Sequence, residues 1–98
     1  MPADTNDEMQ LSGIFAALAN PMVRHLIELL ALESRPGTEL CRHFDLIPND
    51  LKRLGENLRD LGLITKRSYN DFVFEEGGLA PVQDWLDRIR SLKKPPRA

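Results

Sequence analysis

Thr38 to Ile64, TELCRHFDLIPNDLKRLGENLRDLGLI, reads as a helix, a tight turn and a second amphipathic helix closed by glycine. In the first element Leu40, Cys41 and Phe44 fall on one side. In the second, Leu51, Leu54, Leu58 and Leu61 recur at three, four and three residues, the spacing that gathers side chains on one helical face. Each helix is therefore expected to bury a stripe. Gly62 lies just past the last leucine, where a helix commonly stops through a left-handed residue, and Leu63-Ile64 opens a stretch with strand character. The order helix, turn, helix, strand points to a winged helix-turn-helix.

The flanks extend this layout. Ile64 to Glu76, ITKRSYNDFVFEE, is rich in β-branched and aromatic residues and is broken by Asn70-Asp71, a polar pair suited to a hairpin turn. Upstream, Met9, Leu11, Ile14, Phe15 and Leu18 repeat at helical spacing between Met9 and Ala19. Asn20-Pro21 interrupts that helix, and Pro21 is tolerated as the opening residue of the next, which runs to about Leu32. Downstream, Leu79, Val82, Trp85, Leu86, Ile89 and Leu92 mark a last amphipathic helix. The expected fold is mainly α with a small β-hairpin, in the order α-α-α-α-β-β-α.

From about residue 9 to residue 92 the chain resembles the ArsR family of small winged-helix repressors. IFAALANPMVRHLIELLA is similar to the family's opening helices, where an Ala-Asn/Asp-Pro turn precedes a basic, leucine-rich helix. TELCRHFDLIPNDLKRLGENLRDLGLI aligns without a gap on the family's helix-turn-helix, through the spacing of Glu39, Leu40, Leu46, Pro48, Leu58, Gly62 and Leu63. FVFEEGGLAPVQDWLDRI is similar to the second wing strand and last helix. Departures fall at positions of function. Where the family often carries Ser-Arg-His-Leu in its recognition helix, this chain has Lys52, Arg53, Leu54 and Gly55, so only Arg53 is kept. A glycine inside a helix costs about 1 kcal/mol relative to alanine, so either Gly55 packs closely against the preceding helix or the recognition helix is locally soft. The hairpin is about two residues shorter than the family's usual wing, and its tip carries Asp71 rather than arginines.

Composition narrows the alternatives. A chain of 98 residues is expected to form one domain, here residues 8–93, between disordered residues 1–7 and a flexible tail, 94–98. No run of about 18 apolar residues is present, and the acidic opening PADTNDE does not read as a signal peptide, so a cytoplasmic location without membrane association is expected. One cysteine allows no internal disulfide. The net charge of −2 disfavours tight nonspecific binding to nucleic acid, yet residues 80 to 98 carry five bases against two acids.

The resemblance implies a homodimer on double-stranded DNA, with the recognition helix in the major groove and the helix before it across the backbone. Asn49 is then placed to read adenine and Arg53 to pair with guanine O6 and N7. Lys52, Lys66 and Arg67 suit phosphates, which fix register without reading sequence. Asp50, an acid in the first turn, suits the helix dipole. The dimer implied would be held by the first and last helices through Ile14, Phe15, Val82, Trp85, Leu86 and Ile89. The alternative is a winged-helix module that binds another protein, with weak or no DNA binding, as the acids Asp50 and Glu56, together with Gly55 and the short wing, would suit.

No metal or other cofactor is expected. The family's Glu-Leu-Cys-x-Cys-Asp-Leu metal motif aligns on Ser34 to Leu40, SRPGTEL, which holds neither cysteine nor histidine, and the last helix offers only Asp84 and Asp87 for the family's other common site. Cys41 reads as a small apolar filler, and His43, two residues on, points roughly the opposite way on a helix. A sensor thiol needs a resolving cysteine or a pKa-lowering neighbour, and only Arg42 is adjacent. His25 reads as a solvated residue. No phosphate loop or nucleophile arrangement appears and Gly77-Gly78 lacks a nucleotide fingerprint, so an enzyme is not expected.

Overall fold

The computed structural model describes residues 5–67 and 71–92. Five helices, α1 (Thr5–Leu18), α2 (Pro21–Leu32), α3 (Gly37–Phe44), α4 (Pro48–Asp60) and α5 (Ala80–Leu92), surround strands β1 (Arg35–Pro36), β2 (Ile64–Arg67) and β3 (Asp71–Phe74). The expected helix and strand order is present, with one addition. β1 pairs with β3 through Arg35 opposite Phe72 and Pro36 opposite Asp71, so the hairpin is the larger part of a three-stranded antiparallel sheet of order β1-β3-β2. Two residues cannot display the period-two alternation by which a strand is recognised in sequence, and proline is tolerated only because β1 is an edge.

Local chemistry sets the helix ends. Asn20 caps α2, its Oδ1 accepting from the Met22 amide at 2.9 Å, with Pro21 opening the helix. Arg24 Nη1 donates to the Leu18 carbonyl at 2.6 Å and so closes the end of α1. α3 ends at Asp45 in the left-handed region (φ 54°), a conformation that aspartate tolerates better than most side chains, and the Leu46 amide donates back to Cys41 at 2.9 Å. α4 stops as its glycine predicts. Gly62 has φ 80°, its amide donates to Arg59 at 2.9 Å, and the Leu63 amide donates to Leu58 at 3.0 Å. That pair of bonds is a Schellman motif, and Leu58 and Leu63, both fully buried, supply its apolar contact.

The core joins Ile14, Val23, Leu26, Ile27 and Leu30 of the first two helices to Leu40, Leu51 and Leu58 of the next two, with Leu63, Ile64 and Phe72 beneath them. Gly55 belongs to this contact in an unexpected way: a Cβ there would lie 2.7 Å from Cε2 of Phe72, so the glycine admits a sheet ring rather than α3. Gly78 lies at a close approach of two backbone segments. It is buried in the 3-10 turn Glu76–Leu79, and a Cβ would collide with the Gly62 carbonyl. Gln10 Nε2 donates to the Leu61 carbonyl at 3.2 Å, tying α1 to the end of α4.

Some boundaries differ from those expected. α1 starts at Thr5, ahead of residue 8, because the polar first turn continues the helix that the apolar repeat marks only from Met9. Asn70 lies outside the described residues, as do residue 93 and the expected tail 94–98, while Asp71 is already in β3, opposite Arg67. Among the described residues no single helix is long and apolar enough to cross a membrane.

Candidate nucleic-acid interface

The face of α4 follows from its periodicity. Leu51, Gly55 and Leu58 are buried, which turns Asn49, Lys52, Arg53, Glu56 and Asp60 to solvent. Arg53, the retained arginine, has an 82% exposed side chain, and its Nη2 lies 3.8 Å from Oδ1 of Asp50, one turn earlier. A solvent-exposed pair of this kind contributes at most about 1 kcal/mol and leaves the guanidinium free to exchange partners. Asp50 is also an acid in the first turn of α4, where it complements the helix dipole.

The hairpin divides its two bases. Residues two apart on a strand share a face, so Ile64 and Lys66 point to one side of β2 and Thr65 and Arg67 to the other. The register sets Lys66 opposite Phe72, and its ammonium lies 5.3 Å from the centre of that ring. Phe72 is the ring against Gly55 of α4, so this is the helix side of the sheet. A cleft of about 550 Å³ opens there, lined by Gly37, Thr38 and Cys41 of α3, Pro48, Asn49, Leu51 and Lys52 of α4, and Lys66 and Phe72 of the sheet. Of the five residues expected on DNA, Asn49, Lys52 and Lys66 thus meet at one cleft. Arg53 lies further round α4, and Arg67 is on the opposite face of the hairpin.

The expected subunit contact residues also divide. Ile14 is fully buried within the protomer and presents no surface to a partner, which corrects its assignment. Apolar residues occupy more than one side of α1, and only the packing against α2 and α5 decides which side is the core. Phe15, the next residue round the helix, is 40% exposed and meets Trp85 of α5 edge to face, with ring centres 5.5 Å apart. Val82, Trp85 and Leu86 are half-buried and Ile89 is exposed, and α5 has no fully buried residue. Met9 of α1 and Leu92, the last apolar residue of the α5 stripe, are exposed large apolar residues as well.

Cys41 and His43 diverge as their two-residue spacing requires. Cys41 is half-buried at the cleft, while the His43 ring contacts His25 at 5.2 Å and Phe44 at 4.8 Å. His25, read as merely solvated, also touches Phe44 at 5.4 Å, a contact between α2 and α3 with no signal in either helix alone. No group of three or more histidine, cysteine or acidic side chains suited to a metal occurs among the described residues.

A polar helix seated by a leucine stripe and flanked by a β-hairpin defines a winged helix-turn-helix. A crystal structure described as an ArsR family transcriptional regulator matches with a TM-score of 0.75 and 28% sequence identity, over 85% of this chain and 94% of that one. The fold is therefore the ArsR-like winged helix. No family model matches the sequence, and no curated protein does.

Proposed function

We propose that this protein is a sequence-specific DNA-binding transcriptional regulator, a repressor, that acts as a cytoplasmic homodimer and performs no catalysis. The observation that carries the reading is the meeting of Asn49, Lys52 and Lys66 at one cleft between α4 and the hairpin, beside the exposed Arg53. Likeness to a structure described as a transcriptional regulator supports it. In this reading the first turns of α4 enter the major groove, Asn49 and Arg53 address base edges, and Lys52 and Lys66 neutralise phosphates. Arg67, across the hairpin from Lys66, meets a different phosphate. The uncovered side of α5, with Phe15 and Trp85 at its centre, supports the dimer, since one protomer leaves this helix without a buried residue. The reading assigns no metal control, because Ser34 to Leu40 carries no cysteine or histidine and the last helix offers only Asp84 and Asp87 for the second site the resemblance implies.

The Asp50 carboxylate beside Arg53 favours a second reading, a module that binds another protein through α4. Titration of duplex DNA at rising salt, followed by sequence selection, separates the two. A regulator gives binding near 50 mM salt that weakens steeply as salt rises, together with an enriched motif. Undetectable binding at that salt favours the protein-binding module.

A further inference from the structure

The cleft between α3, α4 and the sheet joins the basic groups assigned to the duplex to apolar walls that contact with a duplex does not use. Its volume of about 550 Å³ falls within the range of small-molecule sites. Pro48, Leu51 and Phe72 give it apolar walls, and Thr38, Asn49, Lys52 and Lys66 give it polar groups. Among the described residues no carboxylate lines it, although the chain carries 15 acids against 13 bases. Asp50, on the same turn of α4 as Lys52, is turned toward Arg53 instead. Among the described residues Lys52 has no ion-pair partner, and Lys66 rests against the Phe72 ring. Two lysines at one cleft with no carboxylate among its described lining residues leave a local excess of positive charge, which an anion offsets. Apolar walls favour an anion with an organic body over a bare ion, because burial of that body removes apolar surface from water.

We propose that this cleft binds a small organic anion, a carboxylate or phosphate ester on an aromatic or aliphatic body. Lys52 and Lys66 hold the anionic group, and Leu51 and Phe72 pack on the body. Asn49, Lys52 and Lys66 belong to the proposed DNA face too, so an occupied cleft withdraws them from the duplex and the anion acts as an inducer. That second step rests on the DNA-binding reading, whereas anion binding itself does not.

The test uses the full chain, isotope-labelled for NMR and free of DNA, titrated at low salt with phenyl phosphate, benzoate, inorganic phosphate and neutral benzyl alcohol. Saturable shifts at the amides of Thr38, Asn49, Lys52 and Lys66 are expected with the organic anions and not with benzyl alcohol. Lys52→Gln and Lys66→Gln should each weaken the affinity about tenfold, the scale of one hydrogen bond to a charged group. Thermal melts that match the parent establish that both variants fold. Shifts that never saturate with either organic anion, or affinities unchanged in both variants, overturn the proposal. Inorganic phosphate bound as tightly as phenyl phosphate overturns it also, since the cleft would then be only a phosphate contact of the kind a duplex backbone makes. In a final arm phenyl phosphate is added to protein and duplex, and release of the duplex is expected. A protein that binds the anion but no duplex overturns the regulator reading alone and leaves the cleft assignment standing.

Discussion

Gly55 shows how one residue serves two elements. Alanine there would gain about 1 kcal/mol in helix propensity, but its Cβ would sit 2.7 Å from the buried ring of Phe72, which has no flexible end to give way. Overpacking of this kind costs about 1 to 3 kcal/mol, so Gly55→Ala is expected to destabilise the protein on balance by denaturant unfolding. Addition of Phe72→Leu should lessen the effect of the alanine, and equal destabilisation in both backgrounds would refute the contact. At the same scale, Arg53→Ala should weaken selected DNA by about 1 to 3 kcal/mol and relax preference at one base position. A uniform loss across all sequences would make Arg53 a phosphate contact instead.

Among the elements, α4 starts weakly and α5 is incompletely covered. Ile47 stands at the cap of α4 with extended backbone (φ −81°, ψ 155°), makes no side-chain cap bond and is 60% exposed. Serine in that backbone can accept from the first-turn amides, so Ile47→Ser is expected to raise stability by about 1 kcal/mol, read as a higher melting temperature. A lower one would mean that the isoleucine packs on something in solution. For α5, the edge-to-face contact of Trp85 with Phe15 joins the two helices whose apolar faces stay open. Sedimentation of the parent protein at micromolar concentration should give a dimer, and Trp85→Ala should shift it toward monomer. A parent that sediments only as monomer removes the proposed dimer and the palindromic site it implies.

For the molecule as a whole, a net charge of −2 makes the arrangement of charge decide function. Counterion release makes duplex affinity fall with salt in proportion to the phosphates neutralised. Lys52→Ala and Lys66→Ala should therefore weaken random and selected duplex alike, and each should lower the salt slope by about one. Unchanged slopes in both variants would sink the phosphate role of the cleft lysines. This measurement is separate from anion binding by the same lysines, which is read without DNA.

Local spacing determined the five helices, the hairpin and the end of α4 at Gly62, because each rests on a period or a backbone preference confined to a few neighbouring residues. The polar face of α4 was legible for the same reason, since burying Leu51 and Leu58 leaves Asn49, Lys52 and Arg53 outside. Contacts between distant segments were decided only in three dimensions. The two residues of β1 have no period, and they become a strand only because β3 lies alongside. Ile14 and Phe15 are equally apolar neighbours on α1, and packing alone sends one into the core and the other to the surface beside Trp85. Lys66 and Arg67 look like one basic pair in sequence, yet the pleat of β2 puts them on opposite faces, and the register with Phe72 brings only Lys66 to the cleft with Lys52.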